Sequence, residues 1–224
     1  TTSIAMPQLE RQLLRNRFAP VEPLDEEQID LIHEASMTLL EEQGVEVLGD
    51  QALDLFRKAG GDVNEDGLVR LDRNLVMEMI ATAPETFEVT PRNADNTLYV
   101  GSNVINFGMV SGPPNVHDNI NGRRMGNMKD FERLIKFGQY FNVISFFGNQ
   151  ATAPTDLPAN SRHLDTLFAS ITLSDKAFFS TGIGAGRSLD AANMCAIARG
   201  LSLDEMIDSP SVMTNINVNS PRKL

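Results

Sequence analysis

Val143-Ile144-Ser145-Phe146-Phe147-Gly148, Ala177-Phe178-Phe179-Ser180-Thr181-Gly182 and Ser211-Val212-Met213-Thr214-Asn215-Ile216-Asn217-Val218 are three short apolar runs separated by helical sequence. Their starts at residues 143, 177 and 211 stand 34 residues apart. A hairpin returns within a few residues, whereas a strand followed by a crossover helix needs about 30, so this period predicts consecutive β/α units and a parallel sheet. The helices between the runs are read at 161–173 and 188–199, with a short one opened by the capping box Ser202 to Glu205. A parallel strand needs both faces covered and both edges paired. The sequence ends at Pro221-Arg222-Lys223-Leu224, soon after the third run. Three or four such units do not close an eight-stranded barrel, so further sequence or a second polypeptide is expected to complete the sheet.

Working back toward the N-terminus, Asp130 to Phe141 reads as an amphipathic helix with Phe131, Leu134, Ile135 and Phe137 as its buried stripe. Before it, Asn121-Gly122 between Val116-His117-Asp118 and Arg123-Arg124 signals a two-residue hairpin. Phe87 to Thr90 and Leu98 to Met109 carry the β-branched and aromatic residues of strands. The first 85 or so residues are mostly helical. Asp25 caps a helix that stops at Gly44 and repeats Ile29, Ile32, Leu39 and Leu40 at helical spacing. A second helix runs from Asp50 to Ala59 and ends at Gly60-Gly61, a strand covers Leu68 to Arg70, and a third helix starts near Asp72 and ends before Pro84. Residues 1–24, with Pro7, Pro20 and Pro23, read as an extended arm lying on another surface. The domain division this predicts is an arm and helical extension over 1–95, then β/α units over 96–224.

Composition narrows the function classes. A hydrophobic fraction of 42% with 22% charged residues is globular, and no apolar run approaches the roughly 20 residues that span a bilayer. The opening Thr1-Thr2-Ser3 lacks the apolar core of a signal peptide, and a lone Cys195 allows no internal disulfide, so a soluble cytoplasmic protein is expected. Nineteen Lys and Arg against 30 Asp and Glu give a net charge of −11, the wrong sign for gripping phosphate backbones, so nucleic acid is excluded as a partner.

Ordered landmarks along the chain then carry a resemblance. They are Leu31-Ile32-His33-Glu34-Ala35-Ser36 through Leu39-Leu40-Glu41-Glu42-Gln43-Gly44-Val45, Ala59-Gly60-Gly61 with Val69-Arg70, and Ala83-Pro84-Glu85-Thr86-Phe87 with Pro91-Arg92. Val116-His117-Asp118 with Gly122-Arg123-Arg124 and Asp130, and Asn219-Ser220-Pro221, complete the set. In order and spacing the chain resembles the trimethylamine and glycine betaine methyltransferase family over essentially its whole length. That resemblance implies a (β/α)8 TIM-type barrel, of which this is the N-terminal portion, preceded by a mostly helical extension. It implies transfer of a methyl group from a methylated or quaternary amine to the cobalt of a separate corrinoid protein. The partners implied are that cognate corrinoid protein and a small methylated amine, with homo-oligomers allowed. No cofactor is bound directly, since the corrinoid (cobalamin) is carried by the partner. The alternative from another class is a noncatalytic half-barrel that pairs with a second chain and scaffolds it.

Demethylating a quaternary ammonium releases a neutral tertiary amine, so no acid is needed and the site has to position and desolvate. Aromatic faces suit the cationic head, and a carboxylate wants an Arg or backbone N–H groups. Barrel chemistry sits at the C-terminal ends of strands. The candidates there are Phe147, Asn149 and Gln150, then Thr181 and Gly182 with Arg187, then Asn215, Asn217 and Asn219. The alternative for each is an ordinary turn, capping or core residue. Phe146 and Phe147 are neighbours, so at most one faces inward and the other packs under a helix. Gly182-Ile183-Gly184-Ala185-Gly186-Arg187 lacks the spacing of a dinucleotide fingerprint or a P-loop. His117-Asp118 with Arg123 and Arg124 reads either as an anion or acid cluster or as a surface turn with a local ion pair. His33, His163 and Cys195 share no metal-ligand spacing, and no metal is expected. A lyase or aldolase barrel would want a Schiff-base Lys or metal carboxylates at strand ends, and the three runs carry neither.

Overall fold

Leu14–Arg15 (β1) is the only regular piece of the N-terminal arm in the computed structural model, which describes residues 6–216. The chain forms two compact units, one over Phe18–Glu85 and one that combines the arm up to Arg17 with Thr86–Ile216.

In the Phe18–Glu85 unit, Asp25 opens helix α1 (Glu26–Thr38) through a reciprocal capping box with Gln28, satisfying two of the backbone N–H groups a helix start leaves unpaired. The helix runs into a π turn over Leu39–Gln43 and stops at Gly44, whose φ of +69° admits little but glycine. There follow β2 (Val45–Glu46), α2 (Asp50–Ala59), β3 (Asp62–Val63), β4 (Leu68–Arg70) and α3 (Arg73–Ile80). The strands form an antiparallel sheet in the order β2-β4-β3. Arg73 fastens α3 by bonding Glu41 with Nε and Nη2 and Glu34 with Nη1. The apolar repeat of α1 is not buried: Ile29, Ile32 and Leu39 are exposed, and Met37 is the helix's buried residue.

The larger unit begins with a hairpin of β5 (Thr86–Val89) and β6 (Leu98–Gly101). β7 (Val104–Ile105) pairs antiparallel with β1. The arm is also held by Arg11, which donates to the carbonyls of Asp95 and Thr97, and by Gln8 and Leu9 bonding Asn142. Next come β8 (Phe107–Gly108), a second hairpin of β9 (Asn115–Asp118) and β10 (Gly122–Met125), and helix α4 (Met128–Tyr140). Then strand and helix alternate: β11 (Ile144–Phe147), α5 (Arg162–Leu173), β12 (Ala177–Phe178), α6 (Ala185–Arg199) and the short α7 (Leu203–Asp208).

β8, β11 and β12 form the parallel sheet expected from the 34-residue period, and a parallel bridge from Phe179 to Met213 adds the next segment. The sheet starts one strand earlier than the three apolar runs, because Phe107–Gly108 already pairs with β11. The core on one face takes Phe131 and Ile135 from α4, Phe147 from β11, Leu167 from α5, Phe178 from β12 and Ala191 and Cys195 from α6. On the other face Ala177, Phe146 and Met213 pack with Val89 and Leu98 of the β5–β6 hairpin. The chain is thus mixed α/β, with helices on one side of a growing parallel sheet.

Four local expectations are corrected. Phe137 is exposed, and Gly138 is buried in its place, because the face set by Phe131 and Ile135 continues at i+7 rather than i+6. The β9–β10 loop has three residues, 119–121, since Gly122 pairs with Asp118 and supplies the left-handed φ of +65° that follows a type I turn. Helix α6 starts at Ala185 rather than Ser188, and so takes in part of the glycine-rich stretch. The third run makes a single bridge at Met213, and its last residues lie outside the described ones. No helix among the described residues is long and apolar enough to cross a membrane.

Candidate functional site

The backbone ladder continues past the ends of the named strands. Met109 N donates to Phe146 O at 3.1 Å, Gly148 N to Met109 O at 3.1 Å, Phe179 N to Phe147 O at 3.0 Å and Ser180 N to Met213 O at 2.7 Å. Successive strands therefore leave the sheet along one edge, the edge at their C-terminal ends. Asn149 and Gln150 stand there half-buried, with Gly112 N donating to Gln150 O at 2.7 Å. Thr181 is buried, and its Oγ1 accepts from Ile183 N at 3.3 Å. Gly182 passes so close to the next exit that a Cβ there would stand 2.8 Å from Asn215 O and Thr214 Oγ1. Asn215 is exposed. The fold thus brings Asn149, Gln150, Thr181, Gly182 and Asn215 to one sheet edge. Arg187 lies nearby in the first turn of α6, where its Nη2 donates to Ala159 O at 3.2 Å. Asn217 and Asn219 lie outside the described residues.

Phe147 is placed differently. It is 1% exposed in the helix-side core, with its ring against Gly138. Strand alternation then turns Phe146 to the opposite face, where it meets Phe179 of the neighbouring strand with ring centroids 5.5 Å apart and planes inclined by 51°. Gly108 lets this happen, since any Cβ there would overlap the Phe146 ring. Phe146 and Phe179 are half-buried, so the helix-free face of the sheet carries two aromatic rings below the polar exits. Sequence reading recognised that one of Phe146 and Phe147 faces each way but did not single out Phe179. The signal was a second adjacent Phe pair in the next run, Phe178-Phe179; its order is reversed, since Phe178 faces the helices beside Phe147 and Phe179 lies on the face of Phe146.

The exits are tied together by side chains. His163, buried in the first turn of α5, has Nε2 2.8 Å from Asp190 Oδ2 on α6. Together with the Arg187 bond this links the loop after β11 to the start of α6. The cluster around His117 resolves as a braced turn. Asp118 accepts from the N–H groups of Asn121 at 2.7 Å and Ile120 at 2.9 Å, which hold its carboxyl down at about 2. Arg124 bonds both oxygens of Asp130, and this pairing lowers the Asp130 pKa; it also reaches Asp118 at 3.4 Å. Both carboxylates are ionised at neutral pH and Arg124 is occupied by them, so Asp118 and Asp130 supply no acid and Arg124 no open anion site. Among the described residues no group of three or more His, Cys, Asp or Glu could hold a metal ion.

The edge residues are neutral hydrogen-bonding groups above aromatic faces. Such a lining can orient and desolvate a cationic head group, and the described residues named for it include no carboxyl, imidazole, thiol or amine.

A family model described as "Trimethylamine methyltransferase (MTTB)" matches residues 2–224. The chain is 32% identical over 200 residues to the glycine betaine methyltransferase of Desulfitobacterium hafniense (strain Y51), an alignment covering 89% of this chain and 41% of that protein. It is 29% identical over 129 residues to the proline betaine:corrinoid methyltransferase of Eubacterium limosum, covering 58% of this chain and 26% of that protein. It is 23% identical over 203 residues to the trimethylamine methyltransferase MttB of Desulfitobacterium hafniense (strain DSM 10664 / DCB-2), covering 89% and 40%. The chain spans about two fifths of the length of the first of these relatives.

Proposed function

The chain belongs to the trimethylamine methyltransferase family, and on that premise we propose that it supplies the first β/α units of a (β/α)8 barrel methyltransferase acting on a quaternary amine. The methyl group goes to the cobalt of a corrinoid carried by a separate protein, in the cytoplasm. The observation that carries this reading is the joint placement of Phe146 and Phe179 beneath a row of neutral polar exits on one sheet edge.

The reaction needs little from side-chain acids or bases. The acceptor, a Co(I) corrinoid brought by the partner, would supply the electron pair of the new bond to the methyl carbon and be oxidised to the Co(III) level, while the C–N pair stays on nitrogen and the amine leaves neutral. A quaternary ammonium cannot donate hydrogen bonds, so its attraction to the protein is hydrophobic and electrostatic, and ring faces provide both. Asn149, Gln150, Thr181 and Asn215 then orient whatever polar group the amine carries, and Arg187, in the first turn of the helix that follows Thr181 and Gly182, supplies a cation for a carboxylate. A betaine is preferred over trimethylamine, a reading supported by the higher identity to the two betaine enzymes.

The test is methyl transfer by the full-length protein with its cognate corrinoid protein, reduced, followed by the visible absorbance change of the corrinoid. Glycine betaine, proline betaine, carnitine and trimethylamine are compared. Turnover with a betaine is expected, and no turnover with any of the four would defeat the proposal. Phe179→Leu should raise the dissociation constant for the betaine by about 3- to 30-fold, the loss of one cation–π contact. It should leave the affinity for an uncharged carbon isostere of the same amine almost unchanged.

A further inference from the structure

The β9–β10 hairpin is inserted between β8 and α4, at the same sheet edge as the polar exits, and the proposed reaction makes no use of it. Its base is fastened to the loop that leaves β11. Thr152 Oγ1 and Ala153 N donate to Pro113 O at 3.1 and 3.0 Å, and Thr155 donates to Gly126 O through N at 3.0 Å and Oγ1 at 2.8 Å. Gly126 is buried there, and a Cβ on it would run into Thr152. The hairpin is thus a post standing on the loop that carries Asn149 and Gln150.

Its tip is stiff and presents one large apolar side chain, Ile120, between Asn119 and Asn121. Asp118 binds the backbone N–H groups of both Ile120 and Asn121, and Arg124 locks Asp118 to Asp130 at the start of α4. On this braced turn Ile120 is 91% exposed, with Arg123 exposed on the strand behind it. A rigid tip holding one large aliphatic side chain in water loses little freedom on binding and gains the full burial of that side chain, which is the make-up of a binding hot spot. Val110 and Ile183, on neighbouring exits of the same edge, are exposed as well.

We propose that the β9–β10 hairpin, through Ile120, is a docking post for the protein that carries the methyl-accepting corrinoid. This rests on the methyltransferase reading, under which the acceptor has to approach this edge to reach the substrate methyl group. The exposed Arg123 at the tip of a chain with net charge −11 favours a carrier surface with an apolar socket and an acidic rim.

The experiment compares wild-type full-length protein with Ile120→Asp and Ile120→Thr, using two acceptors: the cognate carrier protein and free cob(I)alamin. Both variants should keep the melting temperature of the wild type and its rate with free cob(I)alamin. Their KM for the carrier should rise about tenfold or more, with kcat at saturating carrier unchanged. An unchanged KM for the carrier would overturn the proposal. So would an equal loss with both acceptors, which would make Ile120 structural. A fall in particle mass of the variants would also overturn it, by showing that a second copy sits on the tip. Carrier binding measured by calorimetry separates the two layers of inference. If no amine is demethylated yet Ile120→Asp abolishes carrier binding, the hairpin stands and the reaction falls.

Discussion

Replacing Lys176 with Met should change how stability depends on pH, and the structure sets both the sign and the size. Lys176 is 5% exposed at the foot of β12, and its Nζ donates to Gly138 O at 2.8 Å and Phe141 O at 2.7 Å at the end of α4. Burial away from water pulls its pKa from 10.5 down to about 8, with the neighbouring Asp175 opposing part of that shift. A neutral amine still has two N–H groups, matching the two carbonyls, so deprotonation keeps both bonds and removes the desolvated charge. Between about pH 8 and about pH 10.5 the unfolded chain holds the proton more tightly, so wild-type stability rises with pH across that window. The shift of about 2.5 pKa units corresponds to about 3 kcal/mol, with a slope near 1.4 kcal/mol per pH unit in mid-window. Lys176→Met has no such group. Urea unfolding of both proteins, followed by far-UV circular dichroism at intervals across the window, gives the difference in unfolding free energy and cancels other titrations. That difference should move in favour of the wild type by about 3 kcal/mol from the low to the high end. A difference flat to within about 0.5 kcal/mol would refute the idea that Lys176 is a desolvated cation in the folded chain.

Gly138→Ala should destabilise the protein by about 1–3 kcal/mol even though alanine favours the helix by about 1 kcal/mol, because the new methyl would overlap Met109 Sδ and the Phe147 ring; a gain in melting temperature would contradict this packing. Asp130→Asn should lower the urea midpoint of unfolding, since it takes the ionised carboxylate from Arg124 and leaves it the longer contact with Asp118. Because Arg124 lowers the Asp130 pKa, the wild type should lose this advantage as pH falls below about 4, and the two proteins should converge in acid. Cys195 is buried and its thiol is pushed up to about 12, so Ellman's reagent should label it only on unfolding, with no fast phase in the native protein.

What could be read from residues alone was the part governed by local rules. The N-cap at Asp25 and the capping box at Ser202 form as their side-chain types dictate, and the three apolar runs at 34-residue spacing do lie side by side in parallel. Phe107–Gly108 escaped notice as the first parallel strand because it is two residues long and contains a glycine that no propensity assigns to a strand. Its place is decided by the Phe146 ring, which needs a neighbour without a side chain. The same limit applied to the site. Alternation shows that Phe146 and Phe147 face opposite ways, but only the packing of α4 through Gly138 decides that Phe147 goes under the helices. The polar exits were legible because strand ends can be counted. The His163–Asp190 and Arg187–Ala159 ties that join those exits cross between separate β/α units, and no periodicity encodes them.

The strands of the parallel sheet lie in the order in which they occur along the chain: β8, β11, β12 and then the segment at Met213. On a ribosome adding about 5–20 residues per second, each unit of the 34-residue period takes about 2–7 s to emerge. Helix formation and collapse take microseconds, so each new strand meets its only earlier neighbour already waiting. The nascent protein can therefore lay down these strands one unit at a time, each against a neighbour already made, and under the proposed barrel reading it is the outer edge of β8 that waits for a strand made later.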